Sequence, residues 1–240
     1  YKRQVTGVFR DMTGIRFEHP QWDPEKCTAC GACWRVCPDT AIPGLVNDIS
    51  EIIETTVERV RKRGHELKVL PKEARRLEPK LRSLFAEVSE TEPVQDLLGD
   101  AIQDALLSCD LDETDKERLK TEFNWFKDEV WDYQFALSRP YYTVPEKKQS
   151  GRGGLLSITV NPYTCKGCME CVAVCDDDAL KPVVQTAESV QQLRENWDFW
   201  LDLPTTPKKF VRVDNLEEGI GALDTILLDK NNYLSMMSGD

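Results

Sequence analysis

The chain has very few histidines and no long apolar run. Only two of its 240 residues are histidine, and no apolar segment approaches the ~18 residues that a transmembrane helix needs. The opening residues Tyr1, Lys2 and Arg3 do not form the apolar core of a secretory signal, and no initiator Met precedes them. We therefore expect a piece of a longer polypeptide that does not act in a membrane.

Basic charge is also scarce. The 31 Lys and Arg residues are outnumbered by 42 Asp and Glu, for a net charge of −11. Nucleic-acid binding relies on a surplus of basic side chains over phosphate, so the sequence argues against it. The acidity is concentrated: residues 51–90 carry ten basic and eight acidic side chains, whereas 91–130 carry four and twelve. The acidic stretch is either a solvated face or a docking patch for a basic partner.

Nine cysteines stand in the chain, and eight of them form two tight groups. A secreted disulfide framework would be shorter and would not twice place four thiols within eleven residues. Reduced, metal-bound cysteines in the cytoplasm fit better. The ninth, Cys109, stands alone, and we expect a structural thiol beside an apolar core.

The two cysteine groups form an internal repeat. The first is Cys27-x2-Cys30-x2-Cys33-x3-Cys37 and the second is Cys165-x2-Cys168-x2-Cys171-x3-Cys175. Their contexts correspond as well: WDPEKC and VNPYTC lead into the motifs, while PDTAI and DDDAL follow. The alternating segment LLSITV at 155–160 predicts a strand that enters the second motif.

Three thiolates at this spacing can bind three irons of a cubane cluster, and the fourth iron needs a ligand from elsewhere. In two-cluster ferredoxins of bacteria, the fourth cysteine of each run ligates the other cluster. Applied here, Cys27, Cys30, Cys33 and Cys175 hold one [4Fe–4S] cluster, and Cys165, Cys168, Cys171 and Cys37 hold the other. Structural zinc is the alternative, although it usually takes two separated Cys-x-x-Cys pairs or Cys with His.

Residues around the motifs would complete the two sites. Small residues leave room for backbone N–H groups to approach the clusters; these are Ala29, Gly31, Ala32 and Gly167. Apolar candidates for the water-excluding shell are Val36, Ile42, Val172, Val174 and Leu180. Neither histidine is expected to be a ligand, because His19 is predicted to be extended and at the surface and His65 follows a helix-ending glycine.

Residues 43–152 show helical periodicity almost throughout. Four helices are expected to pack as a bundle, and their apolar stripes are Leu45/Ile49/Ile52/Ile53/Val57/Val60, Leu81/Leu84/Phe85/Val88, Val94/Leu97/Leu98/Ile102/Leu106 and Leu119/Phe123/Phe126/Val130/Leu137. Thr114-x-x-Glu117 predicts the start of the fourth helix as a capping box. We expect the basic helices to pack inward or against a neighbouring subunit, and the acidic stretch to face solvent. We also expect the chain ends near Pro43 and Gly153 to lie close together.

The C-terminal part is predicted to be helical, with a short strand. A helix is expected over Ala187–Leu203, with Val190, Leu193, Trp197, Trp200 and Leu201 on one face. A strand-like FVRV at 210–213 and a stripe of Leu216, Ile220, Leu223 and Leu227 follow.

The motifs identify a resemblance. WDPEKCTACGACWRVCPDTAI and VNPYTCKGCMECVAVC resemble the two-[4Fe–4S] ferredoxin module, and more narrowly that of pyruvate:ferredoxin oxidoreductase and related 2-oxoacid oxidoreductases. The tail LLDKNNYLSMMSGD is similar to the family's lead-in to a thiamine diphosphate domain. The chain departs from the family at its longer, more helical middle segment and at Asp176, where the pattern has Pro. Asp176–Asp178 would lower a cluster's potential, mark a docking edge, or form a solvated turn.

The resemblance implies an α+β fold, a bacterial-ferredoxin-like module split by a mainly helical insertion. The implied parts are residues 1–42 and 153–185 as the two halves of the module, 43–152 as the insertion, and 186–240 as a helix and linker toward a further domain. The insertion would shield a cluster or gate access to it.

The implied function is electron transfer, with no catalytic residue in this chain. In the parent enzyme, thiamine diphosphate, Mg and coenzyme A would act elsewhere, and the partners would be the parent's other domains or subunits, in an oligomer, and an acceptor such as ferredoxin or flavodoxin. Two alternatives are a stand-alone iron–sulfur subunit of another dehydrogenase or hydrogenase, and a partner-binding module whose clusters only stabilise the fold.

Overall fold

The computed structural model describes residues 11–211 and 227–237. Its strands are β1 (Glu18–Trp22), β2 (Gly44–Asn47), β3 (Leu155–Ile158) and β4 (Leu180–Val184). Its helices are α1 (Ala32–Val36), α2 (Ile49–Lys62), α3 (Leu70–Glu73), α4 (Leu77–Glu87), α5 (Val94–Ser108), α6 (Glu113–Val130), α7 (Val144–Lys148), α8 (Glu170–Ala173), α9 (Ala187–Asp202) and α10 (Lys230–Met237). The presence of both helices and small sheets confirms the α+β class.

Two small antiparallel sheets connect the N-terminal and C-terminal parts of the chain. β1 pairs with β4, in a register that runs from Glu18 opposite Val184 to Trp22 opposite Leu180. β2 pairs with β3, from Gly44 opposite Ile158 to Asn47 opposite Leu155. Both ends of the helical segment therefore meet at one strand pair, as expected from the sequence.

The first helix begins later than the sequence pattern indicates. Leu45 lies in strand β2, whose four residues are all buried, and α2 starts at Ile49. Asp48 caps α2 in a capping box with Glu51, whose carboxylate accepts the backbone N–H of Asp48 at 2.9 Å. Leu45 was assigned to the helical stripe because it precedes Ile49 by four residues and packs into the same core.

The fourth helix also has a different start and end. Asp112, not Thr114, is its N-cap, and the Asp112 carboxylate accepts the backbone N–H of Asp115 at 2.8 Å. Leu137 lies beyond the end of α6 at Val130, although it is buried in the helical core. The predicted helices α4, α5 and α9 and the strand β3 are present.

The basic residues at the end of α2 do not pack into the helical core of this chain, which leaves the packing against a neighbouring subunit as a prediction. Arg61, Lys62 and Arg63 at the end of α2 are exposed, and of the basic residues on this helix only Arg59 is buried. In the FVRV segment, Phe210 and Val211 lie outside any strand, and the rest of it lies outside the described residues. The same holds for the following stripe except Leu227, which is buried.

The helical core extends to the C-terminal helices. Apolar side chains of α2, α4, α5 and α6 pack together, and Trp197 and Trp200 of α9 and Tyr233 of α10 belong to the same cluster. The two indole rings stack at 4.8 Å between centroids, and Tyr233 meets Trp200 edge-on at 5.3 Å. A second apolar cluster surrounds the cysteine motifs.

Arg59 joins three helices in this core. From α2, its guanidinium forms ion pairs with Glu129 of α6 at 3.1 Å and with Asp202 of α9 at 2.5 Å. It also lies 5.0 Å from the ring centroid of Phe199. Because the guanidinium is buried, its removal would leave two carboxylates short of their charge partner.

Replacing Arg59 by Met should lower the free energy of unfolding by about 3 kcal/mol, since a partly buried charge network loses its cation. Urea unfolding under anaerobic conditions measures this change. Arg61→Met on the same helix is the control: its ion pair with Glu58 is exposed, so the effect should stay within about 0.5 kcal/mol. An equal loss in the two variants would contradict the assigned role of Arg59.

Candidate functional site

The structure brings the eight motif cysteines together in two sets of four. Cys27, Cys30 and Cys33 line one cavity with Cys175, which comes from the other motif. We call this the first cysteine site. Cys37 lines a second cavity with Cys165, Cys168 and Cys171, which we call the second cysteine site. Each cavity is thus lined by three cysteines of one motif and one of the other.

The two cavities are alike in their linings, since each is enclosed by four cysteines and by small and apolar residues. This is the arrangement expected where one kind of group binds twice. Within residues 11–211 and 227–237, no three His, Cys, Asp or Glu side chains converge closely enough to hold a single ion. The thiols of each site are instead arranged around a space.

The backbone of the two motifs is repeated in detail. Each residue of the first motif has a counterpart 138 positions later, as Cys27 and Cys165 show. Ala29 and Gly31 have φ values of 64° and 74°, and their counterparts Gly167 and Met169 have 70° and 61°. Such left-handed residues turn neighbouring N–H groups toward one side, where an anionic group can accept them. Small size is therefore not the shared requirement, since Met169 adopts the same conformation as Gly31.

Backbone N–H groups already hydrogen-bond the cysteine sulfurs. The N–H of Ala41 donates to Sγ of Cys37 at 3.2 Å. Backbone hydrogen bonding from Ala29 to Cys27, and from Gly167 to Cys165, favours the thiolate at each site. Donors of this kind are what tune a thiolate-bound metal group.

Burial dominates the acidity of the thiols. It raises the pKa of Cys27 to about 11 and that of Cys171 to about 12. Burial likewise raises the pKa of Cys33, Cys37 and Cys165. Without metal these thiols are protonated at neutral pH, and metal binding must displace their protons.

Apolar residues enclose both cavities in corresponding places. Ala41 and Ile42 line the second site, and their counterparts Ala179 and Leu180 line the first. The predicted shell residues Val36 and Val172 pack against the same apolar cluster. Val174 is half-buried and lines neither cavity.

Arg16 holds the second motif in place, a role that the sequence analysis did not predict. Its buried guanidinium donates from Nη1 to the carbonyl oxygens of Pro162 at 2.7 Å and Cys165 at 2.9 Å. Nε donates to the side chain of Gln185, which follows β4. These partners lie 146 to 169 residues further along the chain, so no local motif marks Arg16 and only the fold reveals its position.

The remaining expectations concern the histidines and Cys109. His19 lies in β1 and is buried rather than at the surface. Neither His19 nor His65 lines a cysteine site, and the His65 ring stacks on Trp125 at 4.2 Å. Cys109 is buried in the helical core, as predicted.

Comparison with known proteins identifies the class of site. Residues 20–42 match the 4Fe-4S binding domain family, which implies iron–sulfur electron transfer. Over 213 residues, 86% of this chain, the sequence is 22% identical to a protein of Synechocystis sp. named "Putative pyruvate-flavodoxin oxidoreductase". The chain spans only 11% of that relative's length. No solved structure matches the chain significantly.

The chain thus carries a ferredoxin-type domain that resembles that of pyruvate oxidoreductases. Among the described helices, none is long and apolar enough to cross a membrane.

Gly167→Ala should disrupt the second motif. A Cβ at this position would lie 2.5 Å from the carbonyl oxygen of Glu18, and the φ of +70° already disfavours a side chain. We expect a loss of unfolding free energy of more than about 1 kcal/mol and reduced iron retention. Gly151→Ala isolates the backbone effect, because Gly151 has a φ of +83° with nothing within 4 Å. Equal effects of the two substitutions would show that the contact with Glu18 is unimportant.

Proposed function

We propose that the chain is a two-[4Fe–4S] electron-transfer domain. The observation that carries this proposal is the crossed grouping of eight cysteines around two cavities with corresponding linings. Thiolate sets of four and converging backbone N–H groups fit the needs of a cubane. The first site would take one cluster on Cys27, Cys30, Cys33 and Cys175, and the second would take the other on Cys37, Cys165, Cys168 and Cys171.

The residues of this chain would bind, insulate and orient. Bound clusters supply the one-electron chemistry. The cysteines provide the ligands, the N–H groups near Ala29, Ala41 and Gly167 donate to sulfur, and Ile42 and Leu180 exclude water. None of these groups performs bond chemistry on an organic substrate, which agrees with a catalytic centre located outside this chain.

We further propose that the domain belongs to a thiamine-dependent 2-oxoacid oxidoreductase acting in the cytoplasm. The resemblance of the motifs and the relative named as a pyruvate-flavodoxin oxidoreductase support this parent. Thiamine diphosphate, Mg and coenzyme A would bind to other parts of the parent. Its remaining domains or subunits and an acceptor such as ferredoxin or flavodoxin would be the partners.

The helices between β2 and β3 would then be an insertion into the ferredoxin module. They leave the module at Asn47 and return at Leu155, which face each other in the sheet. We propose that this segment covers or gates the module rather than binding a cofactor. Among the described residues between Asn47 and Leu155, none lines either cysteine site.

Two other functions make different predictions. A stand-alone iron–sulfur subunit would be encoded without a thiamine-binding region in the same polypeptide. A partner-binding module with purely structural clusters would show no reversible reduction at physiological potentials. Sequencing the complete coding region and measuring the reduction potentials distinguish these two from the proposed function.

Single cysteine substitutions test the crossed ligation. The anaerobically purified protein should contain about eight irons per chain, the content of two cubanes. Cys37→Ala should remove the same electron paramagnetic resonance signal as Cys168→Ala, whereas Cys175→Ala should remove the signal lost in Cys30→Ala. Grouping by motif instead, with Cys37 alongside Cys30, would disprove the assignment.

Cys109→Ala is the matched control for these variants. Cys109 is buried in the helical core and lines neither cavity. Iron content and both signals should be those of the unaltered protein. Zinc in place of iron, with no visible absorption, would overturn the proposed function altogether.

A further inference from the structure

The two cysteine sites share one backbone but differ in the charges around them. Because each position has a counterpart 138 residues away, the side chains at equivalent places can be compared directly. Such a comparison removes the contribution of ligand type, which is the same at both sites, and that of the left-handed backbone positions, which recur in both motifs. What remains is the difference in nearby charge, a main determinant of cluster potential.

The clearest difference is an exchange of lysine for threonine. At the second site, Nζ of Lys166 pairs with the carboxylate of Asp39 at 2.7 Å, and both residues line the cavity. The counterpart residues at the first site are Thr28 and Asp177, whose side chains are joined by a 2.6 Å hydrogen bond. A neutral hydroxyl thus takes the place of an ammonium group, and the charge of Asp177 is not balanced by its partner.

A second difference is the buried Arg16. Its guanidinium donates to the carbonyl oxygen of Cys165, at the second site. The counterpart of Arg16 in the repeat is Gly154, and Phe210 occupies the space that a side chain there would need. The first site therefore has no equivalent cation at this position. Because Arg16 is buried, water screens its charge much less than that of an exposed residue.

Exposed charges of opposite effect do not cancel this asymmetry. Arg35 donates to the carbonyl oxygen of Cys30 at the first site, but Asp176, Asp177 and Asp178 follow Cys175 there. At the second site, Glu170 stands between Cys168 and Cys171. Lys26 beside Cys27 and Lys181 beside Leu180 add two exposed cations at the first site, where Lys26 pairs with Asp23 at 3.4 Å. Exposed cations and carboxylates are thus mixed at both sites, and water screens them. The asymmetry therefore rests on Lys166 and on the buried Arg16.

We infer that the second cysteine site holds the more oxidising of the two clusters, with Lys166, Thr28 and Arg16 as the residues that set the order. An added electron increases the negative charge of a cluster, so nearby cations favour the reduced form and nearby carboxylates oppose it. The inference rests on the proposed function and assigns a direction: an electron that enters the domain comes to rest at the second site.

Exchanging the two side chains tests this order. In the unaltered protein at half reduction, reduction of the second cluster should be favoured over reduction of the first by a factor of about ten or more. This is the effect of one unit charge at about 10 Å with an effective dielectric constant of about 20. Lys166→Thr should lower the potential of the second cluster, and Thr28→Lys should raise that of the first. The double variant should decrease the difference between the two potentials or reverse its sign. Redox titration followed by electron paramagnetic resonance measures both potentials, and Cys30→Ala and Cys168→Ala assign the signals.

Two substitutions on α6 control for total charge. Lys120→Thr and Thr114→Lys make the same chemical changes at exposed positions on a helix that lines neither site, so both potentials should be unchanged. Equal potentials in the unaltered protein, a more oxidising first cluster, or no response to the exchange would overturn the inference alone. A protein that binds no iron would instead refute the proposed function.

Discussion

The structure depends on a crossing of its two halves. Each strand before or after a cysteine motif pairs with a strand of the other half, β1 with β4 and β2 with β3. The cysteine sites cross in the same way, since Cys175 lies with the first motif and Cys37 with the second. Neither half can complete its sheets or its cavities alone. The segment between β2 and β3 is therefore held at its two ends by the pairing of these strands, which does not restrict the structure of the residues in between.

The helices between β2 and β3 form a core of their own, which is nevertheless connected to the cysteine region. Arg59 joins α2 to α6 and α9, and the aromatic residues of α9 pack against Tyr233 of α10. The Tyr233 hydroxyl donates to the carbonyl oxygen of Thr40, three residues after Cys37. Burial raises the pKa of Tyr233 well above its usual value, so the hydroxyl remains a donor. The loop after the first motif is thus held by a residue of the C-terminal helix.

Spacing and periodicity predicted most of this arrangement, and the failures have physical causes. The expected cysteine grouping came from the spacing of bacterial two-cluster ferredoxins, in which the fourth cysteine of each run belongs to the other cluster; the cavities of the structure have the same grouping. The strand β2 was missed because Leu45 fits both a helical stripe and a buried strand. His19 was misplaced because a five-residue strand gives too little alternation to assign a face. The contacts of Arg16 join residues distant in the chain, and no local pattern records them.

The repeat also explains why side chains, and not the fold, must distinguish the two sites. Left-handed residues recur after the fourth cysteine of each motif, at Thr40 and Asp178, with φ values of 49° and 53°. With a backbone repeated this closely, identical side chains would give two nearly equivalent sites and no preferred direction for an electron. The exchange of Lys166 for Thr28 and of Arg16 for Gly154 breaks that equivalence without altering a ligand. Direction in this domain is therefore a property of a few charged side chains placed on a symmetric frame.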